Sequence, residues 1–158
     1  MSSQEELIAR YEKGIELLEQ ALRGAPSDML DREPAPGKWT IRQQAAHLAD
    51  SELVLGTRMR WIASEPGSLL VAFDQDKWAE SLSYSRQSPE QALQLFSILR
   101  RATAAMLRNL PESAWERTAK HEERGPLSLK RMVELSCEHA EHHTGHMRDI
   151  RRKFSAAA

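Results

Sequence analysis

Apolar residues recur along this chain at three- and four-residue spacing in four long segments, and nowhere alternate strongly enough to predict a strand. The first segment opens at Ser3, with Glu6 three residues on as its capping-box partner. Leu7, Tyr11, Ile15, Leu18 and Leu22 then fall on one helical face, and Gly24-Ala25-Pro26 stops the run. A connector of about 15 residues, rich in Pro, Asp and Gly, follows. The second helix opens at Thr40 with Gln43 as box partner. Its stripe is Ile41, Ala45, Leu48, Leu55, Met59 and Ile62, and Glu65-Pro66-Gly67-Ser68 ends it.

Residues 66 to 87 lack sustained periodicity, although they hold Leu69, Leu70, Val71, Phe73, Trp78 and Tyr84. Compact domains seldom carry so long an irregular stretch without a use for it. The stretch reads as a partly helical loop that covers something. Ser88 as N-cap, Pro89 at the first helical position and Gln91 as box partner announce the third helix. Ala92, Leu95, Leu99, Ala102 and Met106 make its predicted stripe, and Pro111 closes it. The connector 111–127 holds Trp115, His121 and a Gly125-Pro126 break. The fourth helix runs from Ser128 to about Phe154 on Leu129, Met132, Val133, Ser136, Ala140, Met147 and Ile150. The Ala156-Ala157-Ala158 tail is expected to fray. Together these segments predict an all-α fold, a four-helix bundle with long connectors. Connectors of that length favour crossovers over a simple up-down order.

Composition narrows the function classes. The chain's 158 residues suit one domain, 1–158, with a real core. A formal net charge of −1 offers no basic field for nucleic acid, and no apolar run is long enough for a membrane span. The opening Met1-Ser2-Ser3-Gln4-Glu5-Glu6 lacks the apolar core of a signal peptide. Cys137 is the one cysteine, so no intrachain disulfide can form. The expectation is a cytoplasmic protein acting on a small molecule.

Four of the six histidines lie in His139-Ala140-Glu141-His142-His143-Thr144-Gly145-His146. On a helical wheel with Leu129 at zero, His143 falls at about −40°, inside the apolar stripe, and His139 at about −80°, at its edge. His146 and His142 fall further out, near −100° and −140°. His139 and His143 are i, i+4 neighbours, about 6 Å apart along the axis, so two imidazoles there can share one ion. Burial favours that pair over His142 and His146. His47, on the flank of the second helix, can face them across a bundle and complete a three-histidine site with open positions. The same pattern also fits packed core histidines or a solvated, histidine-rich helix end.

Asp50, one turn after His47, could orient an imidazole, approach the ion or act as a base, or could simply face solvent. Glu52 falls within the apolar stripe, and a buried carboxylate needs a partner, either an arginine of a neighbouring helix or the metal. Cys137 points about 160° away from His139 and reads as an inert thiol. Arg58, Arg60, Arg100 and Arg101 could hold an anionic cofactor or be solvated surface. His121, in a Glu-rich connector, is expected to be exposed.

Gly37-Lys38-Trp39-Thr40-Ile41-Arg42, His47-Leu48-Ala49-Asp50-Ser51-Glu52 and His139 to Arg148, in that order, resemble the DinB/YfiT-like superfamily of four-helix-bundle metalloproteins. Phe73-Asp74-Gln75-Asp76-Lys77-Trp78-Ala79 resembles the loop after the second helix in its YfiT branch. The resemblance implies His47, His139 and His143 as ligands of one divalent ion, commonly zinc or nickel, in a chain that often forms a homodimer. It implies one of three activities. The first is transfer of a low-molecular-weight thiol, such as bacillithiol or mycothiol, to an electrophile, in a pocket walled by the 66–87 loop with Trp78 and Tyr84. The second is a metal-dependent hydrolase using metal-bound hydroxide, with Asp50 or Glu52 as base. The third is a non-catalytic metal-binding stress protein.

Overall fold

The computed structural model describes residues 3–157. Its frame is four long helices: α1 (Ser3–Leu22), α3 (Ile41–Ser64), α5 (Pro89–Arg108) and α6 (Leu129–Ala156). Short helices α2 (Ser27–Leu30) and α4 (Gln75–Ser81) lie in the connectors. Ala156 is still helical and Ala157 is a turn, while Ala158 of the expected frayed tail lies outside the described residues. No described helix is long and apolar enough to cross a membrane.

Local signals in the sequence set the helix starts. Thr40 caps α3 with its hydroxyl accepting from Gln43 N, while Gln43 Oε1 accepts from Thr40 N at 2.9 Å. Ser88 and Ser128 cap α5 and α6 in the same way, accepting from Gln91 N and Arg131 N. Each such cap satisfies a backbone donor that the helix cannot, worth about 1 kcal/mol. Arg42 then ties the start of α3 to both flanking connectors, donating to the Asp31 carboxylate at 2.6 and 3.0 Å and to the Gln87 carbonyl at 3.0 Å.

The main packing pairs are α1 with α5 and α6, and α3 with α5 and α6. α1 therefore sits diagonally across the bundle from α3, and α5 from α6, while α3 and α5 are neighbours, an order that the long connectors allow. Two apolar cores stack along the bundle. Ile8, Met59, Ala104 and Val133 belong to one, and Leu18, Leu48, Phe96 and Met147 to the other. Every long helix passes from one core to the other at a small or polar residue: Gly14, Glu52, Arg100 and Ser136.

The structure corrects the sequence reading in two places. A three-stranded sheet, in the order β1 (Leu69–Leu70), β2 (Thr118–His121), β3 (Gly125–Ser128), lies in the connectors where no strand was expected. β1 runs parallel to β2, pairing Leu70 with His121, and β2 and β3 form an antiparallel hairpin. Such short strands offer too few residues for a period of two to register. The second correction concerns α5. Its buried face is Ala92, Phe96, Arg100, Thr103 and Leu107, not the predicted Leu95–Leu99–Ala102 stripe, and Leu95 and Ile98 are exposed.

Candidate metal centre

α3 and α6 bring together three imidazoles that are far apart in sequence. His47 Nε2 lies 2.9 Å from His139 Nε2. One ring nitrogen from each of His47, His139 and His143 falls within 4.8 Å of the others. The ring centroids form a near-equilateral triangle with sides of 4.9, 4.7 and 4.6 Å. His47 is buried, and His139 and His143 are half-buried.

Burial is the first cause that pulls the pKa of each of the three down to about 3, with a neighbouring imidazole second. All three are therefore neutral near pH 7, and each keeps a nitrogen lone pair. Neighbouring side chains fix the rings. Gln44, one turn before His47, places Oε1 3.2 Å from His143 Nδ1. With Oε1 accepting, Nδ1 carries the proton and Nε2 is left free for an ion. Ser51 Oγ lies 3.3 Å from His47 Nδ1. The Trp39 ring packs 4.8 Å from the His47 ring and stacks 6.3 Å from the His143 ring at 21°. Three converging neutral imidazoles, with the outer nitrogens of His47 and His143 held, fit a borderline-soft divalent ion that keeps open coordination positions.

Two cavities meet at the centre. One, of about 710 Å3, is bounded by His47 and His139 and extends along the α3 face through Ser51 and Leu55. Ala72, Phe73 and Gln75 of the loop after α3 form one of its walls. The other, of about 440 Å3, reaches His143 from the side of Trp39 and Gln44.

The remaining candidates fall elsewhere. His142 and His146 pair with each other at 4.1 Å between ring centroids, but both are exposed and outside the triangle. Asp50 accepts a hydrogen bond from Tyr84 at 2.8 Å rather than reaching an imidazole. Glu52 is bound to Arg100, Tyr11 and Ser136. Glu52 is thus paired within the core, and Asp50 holds the Tyr84 hydroxyl with one of its two oxygens. Cys137 is buried, which raises its thiol pKa to about 11. The 66–87 loop does cover the centre, but not with the expected aromatics. Tyr84 is sealed in a small cluster with Ala46 and Ala79, and Trp78 lines a different hollow on the far side of Phe73. His121 is buried at 4% exposure and lines the larger cavity, contrary to expectation. Gln44 was not singled out from the sequence, Trp39 entered only within the motif of the resemblance, and His121 was read as exposed. Gln44 alone left a local signal, since it lies one turn from His47 on the same face.

The model of the DinB superfamily matches residues 10–147. The chain belongs to the DinB superfamily. An Oceanobacillus iheyensis protein named "Putative metal-dependent hydrolase" is 30% identical over 134 residues, covering 85% of this chain and 77% of that protein. A Bacillus mycoides protein of the same name is 28% identical over 155 residues, covering 96% and 89%. Among solved structures, YfiT of Bacillus subtilis superimposes with a TM-score of 0.91 at 25% identity, covering 98% of this chain and 90% of YfiT. YfiT is described as a probable metal-dependent hydrolase with an unusual four-helix bundle topology. A mycothiol-dependent maleylpyruvate isomerase shares the fold at a TM-score of 0.71 and 15% identity, with this chain spanning 59% of its length.

Proposed function

We propose that this DinB protein is a metal-dependent transferase that joins a low-molecular-weight thiol to an electrophilic small molecule. The observation that carries the reading is the centre's composition. It offers three neutral imidazoles and no carboxylate among the described residues, with Glu52 paired to Arg100 and Asp50 holding Tyr84. A divalent ion such as zinc or nickel, held by His47, His139 and His143, supplies Lewis acidity that lowers the pKa of a bound thiol or water. Thiol activation needs no further base, because a thiol starts only one or two pKa units above neutrality (about 8.5). Water starts much higher and gains more from a positioned carboxylate. The protein's own residues orient the imidazoles through Gln44 and Ser51, and limit solvent access with Trp39 and Phe73.

Hydrolysis is the second reading, favoured by the names that the relatives carry. Turnover of an electrophile panel, with and without an added small thiol, separates the two. Turnover that requires thiol and yields the thioether supports transfer. Turnover that proceeds equally without thiol and yields the water-addition product removes transfer in favour of hydrolysis. A homodimer belongs to the same proposal, supported by Leu53, Trp61 and Val71, which are exposed around a shallow apolar hollow. Light scattering that reads the 18.0 kDa single-chain mass at micromolar concentration would remove it.

A further inference from the structure

The larger cavity carries a cationic wall that thiol or water activation leaves unused. Arg58 lies eleven residues after His47, three turns on and on the same face of α3, roughly 16 Å along the axis. Helical side chains lean toward the N-terminus, so its guanidinium is carried back in the direction of His47. Arg58 is 7% exposed. It donates to the Val71 carbonyl at 2.5 Å and lies 6.0 Å from the Phe73 ring centroid. Among the described residues it has no carboxylate within salt-bridge distance. Burial and then Arg124 push its pKa down, and the exposed Glu123 acts weakly in the other direction.

Arg124 lines the same cavity from the β2–β3 turn and also forms no ion pair among the described residues. Arg131, which lines it too, is by contrast balanced by Glu134 and Glu138. His121 sits between the two unpaired arginines. Its Nδ1 accepts from Glu123 N and Arg124 N at 3.2 and 3.3 Å, which leaves Nε2 to carry the proton. Burial and then Arg58 and Arg124 lower its pKa, so near pH 7 it is a neutral N–H donor. A buried guanidinium without a counter-charge is costly, and a bound anion offsets that cost through charge-assisted hydrogen bonds. The cleft's volume of about 710 Å3 suits a small molecule.

We propose that Arg58, Arg124 and His121 form an anion subsite that holds a carboxylate or phosphate group of the substrate while its reacting end lies at His47 and His139. The substrate is then an anionic small molecule, long enough to reach from the sheet-side wall to the histidines. This assignment rests on the reading of the histidines as the reacting centre.

Isothermal titration of the full chain tests it, with succinate and inorganic phosphate as probes and succinamide as the neutral control. Wild type, Arg124→Gln, Arg58→Gln and His143→Ala are compared, with metal content measured on each. The expected result is that at least one anion binds wild type, succinamide does not, and Arg124→Gln weakens binding about tenfold. Which probe binds more tightly tells carboxylate from phosphate. His143→Ala should keep the anion, because the subsite lies apart from the histidines. Anion binding with no metal in wild type would sink the histidine reading and uphold the subsite. Three results overturn the subsite: neither anion binding wild type, binding unchanged in both arginine variants, or binding lost only in His143→Ala, which would put the anion on the metal. Arg124 is exposed, so its variant stays informative even where Arg58→Gln unfolds the cavity wall.

Discussion

Tag-free His143→Ala protein, purified without nickel resin, is expected to lose nearly all of the divalent metal that wild type carries. Among the described residues the three imidazoles are the whole donor set that the centre offers, with no carboxylate in the group. Weakening a ligand's outer hydrogen-bond partner alone typically costs about 10- to 100-fold in metal affinity. Deleting one of three ligands should cost more, and Gln44→Leu, which frees His143 Nδ1, should fall within that smaller range. Elemental analysis of the three proteins reads the order directly: wild type near one ion per chain, Gln44→Leu intermediate, His143→Ala empty. Equal metal in wild type and His143→Ala would dismantle the centre as drawn.

The same variant carries a pH signature in metal-free protein. Burial holds the histidines at about 3 in the folded chain, against about 6.5 when unfolded. Between those values the unfolded state binds more protons, so stability is full above about pH 6.5 and drains away as pH falls toward 3. Metal-free His143→Ala, with one such group fewer, should lose less melting temperature than metal-free wild type between pH 7 and pH 4.

Where a residue's environment follows from its own helix, the sequence revealed it. The Thr40–Gln43 box and the Ser88 cap act within three residues of themselves. The wheel put His143 inside the α6 stripe and His139 at its edge by periodicity alone, and the structure places both rings against His47. Trouble began where burial depends on a distant partner. Arg100 and Thr103 look like surface on α5, so the stripe was drawn through Leu95, Leu99 and Ala102. What turns the helix inward at Arg100 is Glu52, 48 positions away. His121 was misjudged for the same reason. It is buried because β2 pairs with a two-residue strand across the chain, and nothing in its Glu-rich neighbourhood announces that. Asp50 and Glu52 were visible as candidates, but only the fold shows that Tyr84 and Arg100 occupy them.

Arg100→Met should therefore be among the most damaging changes outside the centre, costing about 3–5 kcal/mol of unfolding free energy by urea titration. Arg100 and Glu52 are each 1% exposed, with Arg100 Nε 3.0 Å from Glu52 Oε2. The guanidinium also donates to the Tyr11 carbonyl at 2.5 Å and the Ser136 carbonyl at 2.7 Å. Tyr11 and Phe96 rings flank it at 4.3 and 4.5 Å. Methionine fills much of that volume but leaves Glu52 buried without a cation, and that orphaned charge is the source of the cost. A Glu52→Leu, Arg100→Met double variant removes both charges and should recover most of the loss, since two apolar cores already meet at this level. Gly14 completes the test. A Cβ there would lie 2.2 Å from Arg100 Nη1, so Gly14→Ala should destabilise wild type and do so less in the Arg100→Met background. Additive effects of Gly14→Ala and Arg100→Met would mean that the glycine serves something other than room for the guanidinium. An Arg100→Met cost below about 1 kcal/mol, the worth of a surface ion pair, would mean that solvent reaches Glu52. The polar layer would then be no barrier between the cores, and His139, one turn from Ser136 on α6, would lose the dry surroundings that hold it neutral.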